Sequence, residues 1–301
     1  FLYTRGENKF DDIYFKLKKY DVTEDNIKLS WTAEAITHHQ INVTEDGFIL
    51  AATSQIDPKG QPTNILGTVR AKYGSSIFRD DGILEVSPDG EIIYERFMTD
   101  ILEKNNLKHL YLTHGLESDP FHLNSVYKSP KDYKNTPIKK GDLLISLRHS
   151  SMVMIIRPST DKVIWYKSGP WLNQHDASFD DDGNIVLFNN NVISSSQVPH
   201  RTAEYDFFLD NKGNSIHQYN FSNNETNILY GLCFNNKIST VTGGDFTLNN
   251  DTLFVNYHNF GLTMMCDTKS GKKTYFADTE KGRINKNTIL HISMDWAHYK
   301  N

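Results

Sequence analysis

The apolar residues of this chain fall in short runs, rich in β-branched and aromatic side chains, separated by polar turns. That is the pattern of strands rather than of helices. One unit recurs. Gln40-Ile41-Asn42-Val43 leads through Thr44-Glu45-Asp46-Gly47 into Phe48-Ile49-Leu50-Ala51: a short strand, an acidic or asparagine-rich turn often ending in glycine, and a second apolar strand. The unit returns at 82–94 around Ser87-Pro88-Asp89-Gly90, at 153–166, at 177–188 around Asp180-Asp181-Asp182-Gly183-Asn184, at 244–255 and at 262–276. Two further strands are predicted at 12–17 and 26–31. Two successive hairpins of this kind make one four-stranded antiparallel sheet.

Two segments interrupt the pattern. Ile101, Leu102, Leu107 and Leu110 fit one face of a short helix between Met98 and Tyr111. Tyr127 to Lys140, with two prolines and five lysines, reads as a polar surface insertion. Four-stranded sheets repeated every few tens of residues predict an all-β chain, a single β-propeller domain over 1–301 with four-stranded antiparallel blades around a central channel.

At 301 residues the chain is long enough for a sizeable core. Its net charge of −5 and the lack of a basic run argue against nucleic acid as a partner. No apolar run reaches the roughly 18 to 20 residues of a membrane-spanning helix. Beginning at Phe1 without methionine, the chain is expected to be processed or trimmed. Cys233 and Cys266 match no metal or redox spacing; two separate buried thiols are expected ahead of a disulfide.

Candidate chemistry gathers at strand starts. His39, His122 and His175 each fall just before or at the start of a predicted strand, where a propeller would bring distant residues to one mouth of the channel. His122 and Asn124, two apart, project from the same face. Arg148 ends the apolar strand Leu143 to Leu147. An imidazole, an amide and a guanidinium suit an anionic tetrahedral oxyacid. Each has a plainer reading. A lone histidine usually bonds a neighbouring loop, Arg148 could pair with Asp176 or Glu85, and His149 reads as structural on the opposite strand face. The acidic turn at Asp180 lacks the distal glutamate of a helix-loop-helix calcium site and reads as a hairpin turn.

The runs Asp119-Pro120-Phe121-His122-Leu123-Asn124-Ser125-Val126, Ser146-Leu147-Arg148-His149-Ser150 and Gln174-His175-Asp176-Ala177, in that order and preceded by His38-His39-Gln40, resemble the arylsulfotransferase family. The likeness extends from about residue 31 to about 260, departing at Gln40, where an aspartate is common. The resemblance implies a six-bladed propeller that moves a sulfuryl group from a phenolic sulfate donor to a phenolic acceptor without a nucleotide sulfate. It maps the transiently sulfated histidine onto His175, and the sulfate-binding His, Asn and Arg onto His122, Asn124 and Arg148. A further histidine maps onto His38 or His39, of which His39 alternates better with an inward-facing strand. No cofactor and no metal are expected, and the resemblance favours a periplasmic or secreted location; the oligomeric state stays open. The alternatives are a propeller that binds an anionic or sulfated ligand without turnover, and a metal-dependent hydrolase or lyase using the channel histidines.

Overall fold

The computed structural model describes residues 2–5, 15–56, 79–112, 119–193, 207–208, 212–234 and 238–277. Packing divides the chain into two compact units, Phe1–Asp132 with Pro137–Lys167, and Tyr133–Thr136 with Ser168–Asn301.

The first unit begins with a six-stranded antiparallel sheet of β1 (Leu2–Arg5), β2 (Phe15–Val22), β3 (Ile27–Val43), β4 (Ile49–Ile56), β5 (Arg79–Val86) and β6 (Ile92–Phe97), paired in chain order. Side-chain alternation along β4 and β5 sorts the two faces. Leu50, Ala52 and Ile83 enter one apolar cluster, while Ile49, Ala51, Leu84 and Val86 enter another with Leu17, Ala33 and Ile41. Each such leucine or isoleucine, removed from water, stabilises the fold by about 1.5–3 kcal/mol. The first cluster continues through α1 (Met98–Lys104) and α2 (His109–Leu112) into a second sheet of β7 (Leu123–Lys128), β8 (Leu143–Leu147), β9 (Met152–Arg157) and β10 (Lys162–Ser168). The side chain of Asn42 on β3 donates to the Val126 carbonyl on β7 at 2.6 Å.

The second unit holds β11 (His175–Phe179), β12 (Ile185–Asn189), β13 (Val192–Ile193), β14 (Phe207–Phe208), β15 (Ser215–Asn220) and β16 (Glu225–Leu229), followed by β17 (Asp245–Asn249), β18 (Thr252–Tyr257), β19 (Leu262–Asp267) and β20 (Lys273–Ala277). They form the four-stranded sheets β11-β12-β15-β16 and β17-β18-β19-β20 and the short pair β13-β14. A core of Phe188, Ile216, Leu253, Val255, Tyr257 and Met264 fills this unit.

The fold is the all-β, propeller-type architecture expected. The described residues make four blade-sized antiparallel sheets where the family resemblance implied six. Predicted strands 26–31 and 40–43 are parts of one 17-residue strand, β3, because the residues between them keep their ladder through a bulge. The predicted helix is two: Asn105 caps α1 with its side chain on the Ile101 carbonyl, and Asn106 turns to φ 58°, leaving Leu107 and Leu110 packed from α2's side. The insertion is not wholly polar surface, since Tyr133 and Ile138 are buried and Tyr133 lies against Phe179. Gly183, at φ 85°, closes the hairpin turn under the Tyr133 ring, where a Cβ would collide with it. Cys233 and Cys266 form a disulfide with Cα atoms 5.8 Å apart, correcting the expectation of separate thiols; the register of β18 and β19 brings Cys266 against Leu253 in the core beside Cys233, a proximity that spacing alone does not reveal. Among the described residues no helix is long and apolar enough to cross a membrane.

Candidate active site

Three backbone irregularities aim the candidate side chains. On β3 the register shifts between His38 and Ile41, and His39 sits in the bulge at φ 61°. On β7 it shifts between Leu123 and Ser125, just after His122 at φ 49°. On β11 it shifts between His175 and Ser178, with Asp176 at φ 50°. A bulge adds a residue to one strand and re-aims its neighbours, and His, Asp and Asn tolerate the left-handed region better than most side chains.

In the first unit the imidazoles of His38, His39 and His122 form a line. The Nδ1 atoms of His38 and His39 are in hydrogen-bond contact, and His39 Nε2 lies 3.0 Å from His122 Nε2. Acceptors close both ends. His38 Nε2 faces the Thr53 carbonyl and Asp81 Oδ1, each at 3.2 Å, and His122 Nδ1 meets Asp119 Oδ2 at 2.5 Å. Arg79 braces both carboxylates, with Nε 2.9 Å from Asp81 and Nη2 2.6 Å from Asp119. Asp81, fully buried, also receives the Ser54 hydroxyl and the Leu123 N–H, each at 2.7 Å.

The proton count of this line is constrained. Its links to the acceptor at the His38 end, between His38 and His39, between His39 and His122, and to Asp119 each need one hydrogen. Three neutral imidazoles supply one hydrogen too few. For every link to be a hydrogen bond, the line holds one proton beyond neutrality. Arg79 pairs with both carboxylates, the fully buried Asp81 and the partly exposed Asp119. Burial alone would push Asp81 up, but Arg79 and His38 more than offset it and hold the carboxyl below its usual range. Burial pushes His122 well below the ordinary imidazole value, and His149, Arg79 and Arg148 push the same way.

Arg148 is buried just after β8, its N–H donating to the His122 carbonyl at 3.1 Å. Asn124 is buried at the shift in β7. His149 is a correction: its ring lies 4.4 Å from that of His122, and its Nδ1 donates to the Asp119 carbonyl at 2.6 Å. The turn at 148–151 makes the alternation of a straight strand inapplicable there. Glu85 pairs with Lys128, and Asp176 accepts the Phe246 N–H at 3.0 Å.

His175 belongs to the second unit, and among the described residues its ring meets a side-chain amide and a backbone N–H. Its Nδ1 is 2.7 Å from Asn190 Oδ1, and the Gly243 N–H points at its Nε2 from 3.3 Å. An amide oxygen only accepts and a backbone N–H only donates, so the ring is neutral with hydrogen on Nδ1 and a lone pair on Nε2. Gly243, at φ 68°, lies where a Cβ would strike the His258 ring. His258 is held by Asp245 at 2.7 Å and receives the Gly244 N–H at 3.2 Å.

The structure thus brings His38, His39 and His122 into contact within one unit and gives His175 its own surroundings in the other. Arg79, Asp81, Asp119 and Asn190 went unselected in the sequence. Two signals were available: Asp119-Pro120, three residues before a histidine, is a turn whose carboxylate caps the His122 N–H, and Arg79-Asp80-Asp81 places charge inside an otherwise apolar strand. Oxygen and nitrogen atoms of Asp119, His122 and His149 approach within 4.8 Å of one another, close enough for a metal. However, Asp119 Oδ2 is already shared by Arg79 and His122.

The family described as Arylsulfotransferase (ASST) matches residues 7–275. The chain belongs to the arylsulfotransferase family. No curated protein matches it. Solved structures to which this arylsulfotransferase-family chain is similar include a protein of unknown function from Bacteroides caccae, at 14% identity over 85% of this chain and 73% of that one, TM-score 0.46. Another is virginiamycin B lyase from Staphylococcus aureus, at 13% identity over 82% and 70%, TM-score 0.38. A third is an auxiliary nutrient binding protein from Bacteroides thetaiotaomicron, at 10% identity over 88% and 52%, TM-score 0.44. At these scores the likenesses bear on neither fold nor activity.

Proposed function

We propose that the protein transfers a sulfuryl group from a phenolic sulfate ester to a phenolic acceptor, with His175 as the carrier. Family membership supports aryl sulfotransfer in general terms. The observation that carries the finer reading is the tautomer of His175: Nδ1–H on Asn190 and a lone pair on Nε2, held by a weak contact to Gly243. Such a nitrogen is a nucleophile at neutral pH.

Attack of Nε2 on sulfur breaks the S–O bond to the donor's phenol, and the phenol of the acceptor then takes the sulfuryl group by the reverse step. Splitting one transfer into two lowers each barrier. Negative charge spreads over the sulfuryl oxygens and the leaving phenolate, so fixed donors supply most of the acceleration, as in phosphoryl transfer. On the family resemblance, Arg148 and Asn124 are assigned to sulfuryl oxygens and His122 to the leaving oxygen. His39 rather than His38 is assigned to the ligand side, since His38 is tied to Asp81 and Thr53.

A chromogenic aryl sulfate, incubated with and without a phenol, followed by intact mass, tests the reading. Acceptor-dependent release with a sulfuryl adduct on His175 supports it; no release and no adduct across several donors sinks it. The close approach of Asp119, His122 and His149 favours one rival, a metal-dependent hydrolase. That rival requires chelator-sensitive release without acceptor.

A further inference from the structure

Asn190 follows β12 with no solvent exposure, and the transfer chemistry above assigns it no task. Its amide nitrogen donates to two backbone carbonyls, Gly243 at 2.8 Å and Thr240 at 3.2 Å. The amide cannot turn over without setting its oxygen against theirs, at the cost of a buried unpaired donor and two buried acceptors. Its backbone is tied as well. The Asn190 carbonyl receives Asn214 Nδ2 at 3.0 Å, and Asn214 is pinned in turn by the Thr240 N–H at 2.7 Å and the Thr240 carbonyl at 2.9 Å. The side-chain oxygen is thereby committed to His175 Nδ1.

Resting on the reading of His175 as sulfuryl carrier, we infer that Asn190 is a positioning residue with two effects: it fixes the Nδ1–H tautomer, and it keeps the sulfated ring cationic and therefore a good leaving group. In the first step the S–O bond to the donor breaks, its electron pair leaving with the phenolate, and the Nε2 lone pair forms the S–N bond. The ring still holds its Nδ1 hydrogen, so the product is an N-sulfoimidazolium whose positive charge balances the sulfonate. In the second step the acceptor oxygen bonds to sulfur and loses its proton to the phenolate released in the first step or to water, and the S–N pair returns to Nε2 as a neutral imidazole leaves.

An amide suits this position better than a carboxylate. Its oxygen accepts the Nδ1 hydrogen without removing it. A carboxylate would raise the basicity of the free ring and share or take the proton of the sulfated one, leaving a ring that parts from sulfur less readily.

The test begins on the wild-type chain, labelled with 15N-histidine, the His175 ring assigned by its disappearance in His175→Gln. Hydrogen on Nδ1 and a bare Nε2 are expected; hydrogen on Nε2, or equal averaging of the two, overturns the inference. In Asn190→Ala the tautomers are expected to mix, and an unchanged Nδ1–H population there also overturns it. In Asn190→Asp the acid limb of the pH–rate profile should move up by about 1 to 3 pH units. The sulfuryl adduct should also outlive the wild-type one by about tenfold or more in rapid-quench mass spectrometry; decay at the wild-type rate overturns the second effect. Absence of any adduct on wild-type protein overturns the carrier reading and that second effect together, while the nitrogen spectrum decides the tautomer by itself.

Discussion

Around His122 the neighbours are ions, Asp81, Asp119, Arg79 and Arg148, with the imidazoles of His38 and His39 in line beside it. Around His175 the described residues contribute amides: the side chain of Asn190 and the backbone of Gly243, with Asn214 behind them. The same residue type is put to two uses. Buried carboxylates demand counter-charges, and a group of fixed ions is prearranged to accept another anion. A nucleophile needs a lone pair that no proton takes at working pH, and neutral neighbours of set polarity provide it without competing charges.

The largest expected effect breaks this contrast at its neutral end. His175→Ala should lose the sulfuryl adduct and reduce transfer by roughly 10⁴-fold or more, as removal of a nucleophile does. Retention of even a tenth of wild-type turnover would assign the carrier role elsewhere, His122 being the first candidate.

The two neighbourhoods should also differ in what they cost to damage. Asp81→Asn leaves Arg79 and His38 buried beside a diminished counter-charge and should destabilise the fold by about 3–5 kcal/mol. Asn214→Ala removes hydrogen bonds but strands no charge, and should cost about 1–3 kcal/mol. Urea unfolding of both variants checks the order; equal losses would mean that the charges around Asp81 are not mutually compensating.

Arg148→Ala should lower kcat by about 10²–10³-fold, the usual effect of removing one donor to a developing oxyanion. A rise in KM at unchanged kcat would instead make Arg148 a binding group for the ground-state ester.

The same contrast explains which parts were legible in the sequence. The hairpins at 40–51, 82–94, 153–166, 177–188, 244–255 and 262–276 were legible because each carries its own period-two pattern and its own turn residues. His122 and His175 could be selected from motif likeness. Their partners could not, because each belongs to another strand. Asp81 reaches His38 across the β4–β5 pairing, and Asn190 reaches His175 through the β11–β12 pairing. The irregularities at His39, just after His122 and at Asp176 were also hidden, since nothing in the local sequence marks one or two added residues in a strand. The placing of His149 on an opposite strand face failed for that reason: strand alternation was applied to a residue in a turn.

His217, on β15, offers the gentlest perturbation. It is buried, its Nε2 receives Asn189 Nδ2 at 3.3 Å, and its Nδ1 has no hydrogen-bond partner among the described residues. Burial without a counter-ion lowers it from the ordinary value to about 4. The unfolded chain, with histidine near pKa 6.5, binds more protons between pH ~6.5 and ~4, so stability falls as pH falls through that window. The loss from this residue approaches about 3 kcal/mol near pH 4. His122 and His149, both also lowered, contribute with the same sign. Asp81, held low by Arg79, loses its contribution only at more acid pH, as the medium falls through its folded pKa. His217→Gln should therefore remove part of the acid sensitivity between pH 7 and 4.5 and leave the rest to the first unit. Urea midpoints measured across that range separate the shares: an unchanged slope in the variant would mean that His217 finds a partner for its proton as the pH falls, and that ions rather than solitary burial govern both neighbourhoods.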